Sequence, residues 1–288
     1  MAAFWYNLVI APLEFAFMQR ALLAVILVGI TSGVMGAFVV TRGMAFLGDA
    51  LAHSVLPGVA VAFITGNSTQ GGLLIGGLVA GILAAIGIGL LTRGQRLRED
   101  TAIGIVFAGT LALGIALIST SRTFATDLQH ILIGNILSVT AFDLWLMALI
   151  GAIVLMTTLL LYKELLLVSF DPTLAQALRL PTESLRIVLL VLLAVTVVIG
   201  VQAVGVALIA ATLVTPAATA RFFVKRLHHM MALSAMIASS CGIVAMYLAW
   251  HLNIEASAAV VLTMTLVFLL SFLFAPQQGY VWAWRGKA

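Results

Sequence analysis

Gly71-Gly-Leu-Leu-Ile-Gly-Gly-Leu-Val-Ala-Gly-Ile-Leu-Ala-Ala-Ile-Gly-Ile-Gly-Leu-Leu91 runs for 21 residues without a charge, a proline or a polar side chain. As a helix rising 1.5 Å per residue it covers about 30 Å, the thickness of a bilayer's hydrocarbon core. Backbone groups in lipid must be paired within their own segment, so helix is the form such a run takes. Working outward, the pattern recurs at 21 to 41, 50 to 66 and 102 to 120, then at 143 to 162, 186 to 201, 203 to 220, 231 to 250 and 256 to 275, about nine spans. The sixth and seventh are short and run together through Gly200, Gln202 and Gly205, which reads as an inserted hairpin or one long bent helix and would bring the count to eight. The sequence predicts an all-α, polytopic transmembrane helical bundle of eight or nine spans.

Composition agrees. Of 288 residues, 63% are hydrophobic and 8% charged, with mean hydropathy +1.22, too little polar surface to coat a soluble globule. Cys241 is the single cysteine and lies in an apolar run, so it reads as packing. Residues 1 to 20 lack the basic start and cleavage site of a secretory signal, and Pro12 and Glu14 interrupt their apolar positions. They read as an external or interfacial segment, followed by a membrane domain over 21–275 and a cytoplasmic tail over 276–288. A net charge of +4 does not point to nucleic acid, because the basic residues are scattered between apolar runs rather than gathered on one face.

Those basic residues set an orientation. With the N-terminus outside, the inner loops carry Arg42; Arg93, Arg96 and Arg98; Lys163, Arg179 and Arg186; Arg221, Lys225 and Arg226; and Arg285 and Lys287, leaving only Arg20 and Arg122 outside. Cytoplasmic loops retain positive charge, so this arrangement, with the C-terminus cytoplasmic, is the one expected. No GxxxxGK[ST] phosphate-binding sequence interrupts the chain, so it is expected to hydrolyse no ATP by itself and to be no enzyme.

Between the first two spans reads Arg42-Gly-Met-Ala-Phe-Leu-Gly-Asp49-Ala-Leu-Ala-His53-Ser-Val-Leu-Pro57-Gly58. On a helix Asp49 and His53, four apart, share one face. A carboxylate and an imidazole suit zinc, manganese or ferrous iron, and two ligands alone hold an ion weakly enough for release. Gly43, Gly48 and Pro57 are places where this loop could fold back toward the midplane. Spacing leaves a second reading equally open, in which Asp49 caps the second span and His53 packs one turn inside it. Of the remaining histidines, His130, His228 and His229 read as solvated. His251 with Glu255 is a second candidate, placed as an outer gate that an entering cation would meet first, against a bland reading of loop polarity. Further on, Asp171 can cap a short Ala-rich helix with Pro172 at its first position, running through Ala175 to Arg179 and ended by Pro181. Such a helix within the cytoplasmic segment 169–184 fits a groove on a partner or is a plain linker.

Taken in order, these stretches resemble the metal permease family of bacterial ATP-binding-cassette importers for zinc, manganese and iron, over nearly the whole chain. The resemblance rests on Gly48, Asp49, His53, Pro57 and Gly58, on Glu99-Asp-Thr-Ala-Ile-Gly-Ile-Val-Phe107, on Ile133-Gly-Asn-Ile-Leu137, and on Ser169-Phe-Asp-Pro with Ala175. It implies a type II importer permease in the bacterial inner membrane, paired with a second copy of itself. It further implies two cytoplasmic ATPase subunits and an external metal-binding protein as partners. A divalent metal ion is the implied cargo, with no permanently bound cofactor, and ATP is used by the partner subunit. The resemblance makes Asp49 and His53 the metal residues and Asp171 to Pro181 the ATPase-coupling helix. The chain departs from the family pattern at Arg179, where glycine is expected, and at 251 to 258, where a Pro-Ser/Thr-Gly pattern is expected.

Three other functions ask for features of their own. An importer of metal chelates such as siderophores or cobalamin needs a wide cavity and no coordinating pair. A secondary cation transporter needs ion-coupling acids in several spans or an internal repeat, and neither is visible. A membrane enzyme needs a catalytic set, and neither a Ser/His/Asp set nor an HExxH sequence is present.

Overall fold

A computed structural model describes residues 10–67, 69–95, 97–120 and 136–275. His130, Arg122, Ile133 to Asn135, the first nine residues and the 276–288 tail lie outside the described residues. After a helical turn at Ala11–Leu13, the chain forms α1 (Ala16–Arg42), α2 (Leu47–Ile64), α3 (Gln70–Leu91), α4 (Glu99–Ser119), α5 (Ala141–Leu160), α6 (Tyr162–Phe170), α7 (Pro172–Ala177), α8 (Thr182–Val204), α9 (Val206–Arg221), α10 (Leu227–Leu252) and α11 (Ala256–Phe274). Among the described residues there is no strand. Eight of these helices are long and apolar enough to cross a bilayer, while α9 is shorter. The first begins at Ala16, five residues before the expected 21, because Gln19 and Arg20 at the span's edge do not stop a helix.

The two readings of the 186–220 region resolve into a sharp turn. Gly205 takes φ 86° and ψ 166°, a backbone conformation open essentially to glycine alone, and ends α8. Ile209 then folds against Gly200, which a continuous helix would hold about 13 Å apart.

Helix α1 is the centre of the bundle, packed along α10 and α9. It gets there by lacking side chains where it meets them: a Cβ on Gly33 would stand 2.6 Å from Ala235 Cα, and one on Gly36 would strike the Leu213 carbonyl. Small residues are how helices in lipid approach closely, since burial of apolar surface drives little there. The bundle's outside is read from α5, where Phe142, Trp145, Leu149, Ile153, Met156 and Leu160 recur every three or four residues and are all exposed.

At one end of the bundle the charged residues pair across helices. Arg42 at the end of α1 donates to Glu99 at the start of α4. Arg186 of α8 donates to the carbonyls of Thr92 and Gly89 at 3.0 and 2.7 Å, and to Glu183 at 2.7 Å. Arg221 reaches the Val40 carbonyl at 3.4 Å.

Candidate metal site

Gly43, in the left-handed region at φ 72°, stops α1 and returns its N–H to the carbonyls of Val39 and Val40. The chain then folds inward. Gly36 of α1 and Gly48 of α2 both abut Leu213, so the start of α2 lies level with a point six residues, about 9 Å, before the end of α1. Asp49 is thereby drawn away from the end where Arg42 sits. A carboxylate deep in a bilayer costs about 3 kcal/mol, which is tolerated where it faces protein, water or a cargo ion.

Asp49 and His53 both lie in α2, and Asp49 Oδ1 stands 3.7 Å from His53 Nε2, too long for a hydrogen bond. Asp49 is half-exposed and His53 a quarter exposed. The capping alternative is not what forms. The N-cap is Phe46, with no side-chain cap bond, and Asp49 occupies the third helical position, where its charge suits the helix dipole. The imidazole is turned edge-on to Phe107 of α4, with ring centroids 5.5 Å apart. Its Nδ1 is buried with no hydrogen-bond partner among the described residues, while Nε2 faces Asp49. Pro57, inside α2, brings no N–H to the His53 carbonyl and loosens the helix one turn beyond the pair. Among the described residues no three His, Cys, Asp or Glu side chains gather closely enough to hold a metal. Asp49 and His53 by themselves offer one carboxylate and one imidazole, two donors.

Helices α2, α3 and α4 border an open groove of about 700 Å³ lined by Ser54, Gly58, Gly76, Ala80, Gly109 and Thr110. It is apolar, and neither Asp49 nor His53 lines it. Backbones of α2 and α3 touch at Gly58 and Gly76, where any Cβ would collide with a carbonyl.

The second acid–histidine pair is built otherwise. His251 sits in the last turn of α10, Asn253 ends that helix at φ 52°, and Glu255 opens α11. The Glu255 carboxylate accepts from the N–H groups of Ser257 and Ala258 at 2.9 and 2.6 Å, an N-cap that engages both its oxygens.

Helix α7 forms as expected from Asp171, whose carboxylate accepts from the Thr173 hydroxyl at 2.6 Å and the Leu174 N–H at 2.9 Å. Those bonds, the Thr173 one first, hold its carboxyl below the usual range. The cap is at full strength above the ordinary carboxylate pKa and is lost as pH falls through the depressed value. Ala175 is fully buried, while Leu174 and Leu178 are exposed. One expectation is corrected: Pro181 does not end this helix but stands at the N-cap of α8. The end comes earlier, at Ala177, because Arg179 turns left-handed at φ 57° and lets the Leu180 N–H reach the Ala175 carbonyl. That conformation is the physical reason for a glycine at this position.

Sequence reading missed the Arg42–Glu99 pair and the Phe107 contact. The signal available was that two quoted stretches begin with opposite charges, Arg42 in one and Glu99 with Asp100 in the other, at span edges on the same side.

The inward-drawn ionisable pair and the surrounding lipid-facing helices define a polytopic membrane permease. The ABC 3 transport family model matches residues 14–275. The chain is 42% identical over 271 residues to the manganese transport system membrane protein MntC of Listeria monocytogenes, covering 94% of this chain and 95% of that protein. It is 42% identical to the manganese import system permease protein ScaB of Streptococcus gordonii, covering 93% and 95%. Among solved structures it resembles a chain of PsaBC from Streptococcus pneumoniae in complex with Fab, with TM-score 0.83, 40% identity and 98% and 99% coverage. A putative metal-chelate type ABC transporter in an inward-facing conformation shares the fold, with TM-score 0.72 at 17% identity, covering 88% and 85%. The chain belongs to the ABC 3 transport family, as the stretches from Arg42 onward led one to expect.

Proposed function

We propose that this chain is the membrane-spanning permease of an ATP-binding-cassette importer that carries a divalent metal ion, manganese first, across the bacterial inner membrane. The observation that carries it is Asp49 and His53 on one face of α2, drawn into the bundle, with His53 Nδ1 unpartnered. Identity above 40% to manganese permeases over more than nine-tenths of the chain supports the cargo. Oxygen and nitrogen donors without thiolate suit manganese, ferrous iron and zinc, so geometry and supply select among them.

In this reading two copies of the chain bring two Asp49 and two His53 side chains together, giving up to four donors to one partly dehydrated ion. A separate ATPase docks on α7, whose exposed Leu174 and Leu178 are supported from beneath by buried Ala175. ATP binding there shifts the helix ends and opens the four-donor site, releasing the ion. An external binding protein delivers it. The basic residues gathered near Arg42, Arg186 and Arg221 support a cytoplasmic location for that end, with the N-terminus outside and the tail beyond 275 inside. The test is metal-dependent uptake by the reconstituted assembly with manganese, iron and zinc in competition. Asp49→Ala with His53→Ala abolishes uptake while assembly and ATPase docking persist. Near-normal uptake by that double variant refutes the site.

A further inference from the structure

Helix α7, on which the ATPase docks in the reading above, is packed onto the helix that follows it. Its Ala175 shares a small buried apolar cluster with Val168 of α6 and Leu185 of α8. The next residue of α8 is Arg186, whose side chain is 13% exposed and reaches across to another helix. Its Nη1 donates to the Thr92 carbonyl at 3.0 Å and its Nη2 to the Gly89 carbonyl at 2.7 Å, at the end of α3. The last carbonyls of a helix lack N–H partners of their own, and a cation suits the dipole there. Glu183, one turn back on α8, accepts from Nη2 at 2.7 Å and fixes the guanidinium in place.

From that end onward α3 lies close against α8. A Cβ on Gly89 would stand 2.9 Å from Ile187 Cγ1, and one on Gly81 would stand 2.6 Å from Val198 Cγ2. Helix α3 in turn meets α2 backbone to backbone, at Gly76 and Gly58. Close-packed contacts of this kind pass a displacement on, because no flexible side chain lies between to absorb it. Gly58 follows Pro57, which leaves the His53 carbonyl without its helical donor, so α2 is weakest between the point where α3 touches it and the metal pair. We infer that Arg186 is a positioning residue that couples the ATPase to the metal pair. It clamps the end of α3 to α8. A displacement of α7 then passes through Leu185 and Arg186 into α3, and from Gly76 to Gly58 and the joint at Pro57, which turns Asp49 and His53. The inference rests on the importer reading and gives it a route. Arg186 itself touches neither the metal pair nor α7's exposed face.

The experiment uses the complete assembly of permease, ATPase and external binding protein in liposomes, and reads manganese taken up per ATP hydrolysed. Arg186→Gln is expected to keep ATP hydrolysis within about twofold of the parent while manganese moved per ATP falls about tenfold. Arg186→Lys keeps the charge but not the planar fork that spans two carbonyls, so its ratio is expected between those of Arg186→Gln and the parent. A ratio in Arg186→Gln equal to the parent's overturns the inference, even where abundance and melting temperature drop, because a clamp that only holds the bundle together lowers uptake and hydrolysis alike. Where Arg186→Gln does not assemble, Arg186→Lys decides: a lowered ratio at the parent's melting temperature bears the inference out, and the parent's ratio overturns it. A parent assembly that hydrolyses ATP yet takes up no manganese, iron or zinc sinks the importer reading and the inference with it, and that outcome is seen before any variant is made.

Discussion

Asp49 with His53 and His251 with Glu255 pair the same two chemical types at the same spacing, in opposite order, and the fold makes different things of them. The first pair lies within one helix, so four residues become one turn and the two side chains meet at 3.7 Å. The second pair is divided by Asn253, which ends α10 in the left-handed region, and Glu255 turns its carboxylate onto the backbone of α11. A spacing of four puts side chains on one face where the helix is unbroken between them, and that rule does not carry across Asn253. Conversely, Asp49 was free for another role because Phe46, and not Asp49, took the capping position.

The comparison breaks first at the metal pair. Asp49→Asn or His53→Ala alone should lower manganese uptake by the reconstituted assembly about 10- to 100-fold, with permease abundance unchanged. Equal uptake from either single variant and the parent would reduce the pair to packing. Glu255→Ala should instead cost about 1 kcal/mol of stability through loss of the cap, seen as a lower melting temperature, with uptake changed less than about twofold. A collapse of uptake at unchanged melting temperature would restore an outer-gate role to Glu255 and His251. The smallest effect is expected at the two left-handed residues. Arg179→Gly relieves a conformation costing about 1 kcal/mol but adds chain entropy to the unfolded state, for a net gain of a few tenths, and Asn253→Gly should do less because asparagine tolerates this region. A large loss of stability in Arg179→Gly would mean that the arginine side chain itself makes a contact that matters.

Much of the fold was legible because hydropathy in a membrane protein is a local quantity. Each of the nine apolar runs became a helix, and the eight-or-nine ambiguity arose at Gly205, where the chain does break. Helix starts were less legible: α1 reaches back to Ala16 and α8 to Thr182, since polar residues at span edges do not stop a helix. The short helix at Pro172–Ala177 could be read from its cap, but its end could not, because a non-glycine residue adopted a glycine conformation. Departure from the family pattern at Arg179 was the one hint.

Composition and periodicity by themselves determined a lipid-solvated bundle of helices with an aspartate and a histidine on one face near the start of the second. Those features depend on neighbours within a few residues, and the physics that sets them acts along the chain. Only the tertiary structure decided that Arg42 meets Glu99 across 57 positions and that Arg186 holds carbonyls 94 and 97 positions away. It also decided that Leu213 is shared by Gly36 and Gly48, which sets how far Asp49 is drawn inward. Such contacts follow from which glycines let which backbones approach, a property of pairs of helices that no single run of sequence contains.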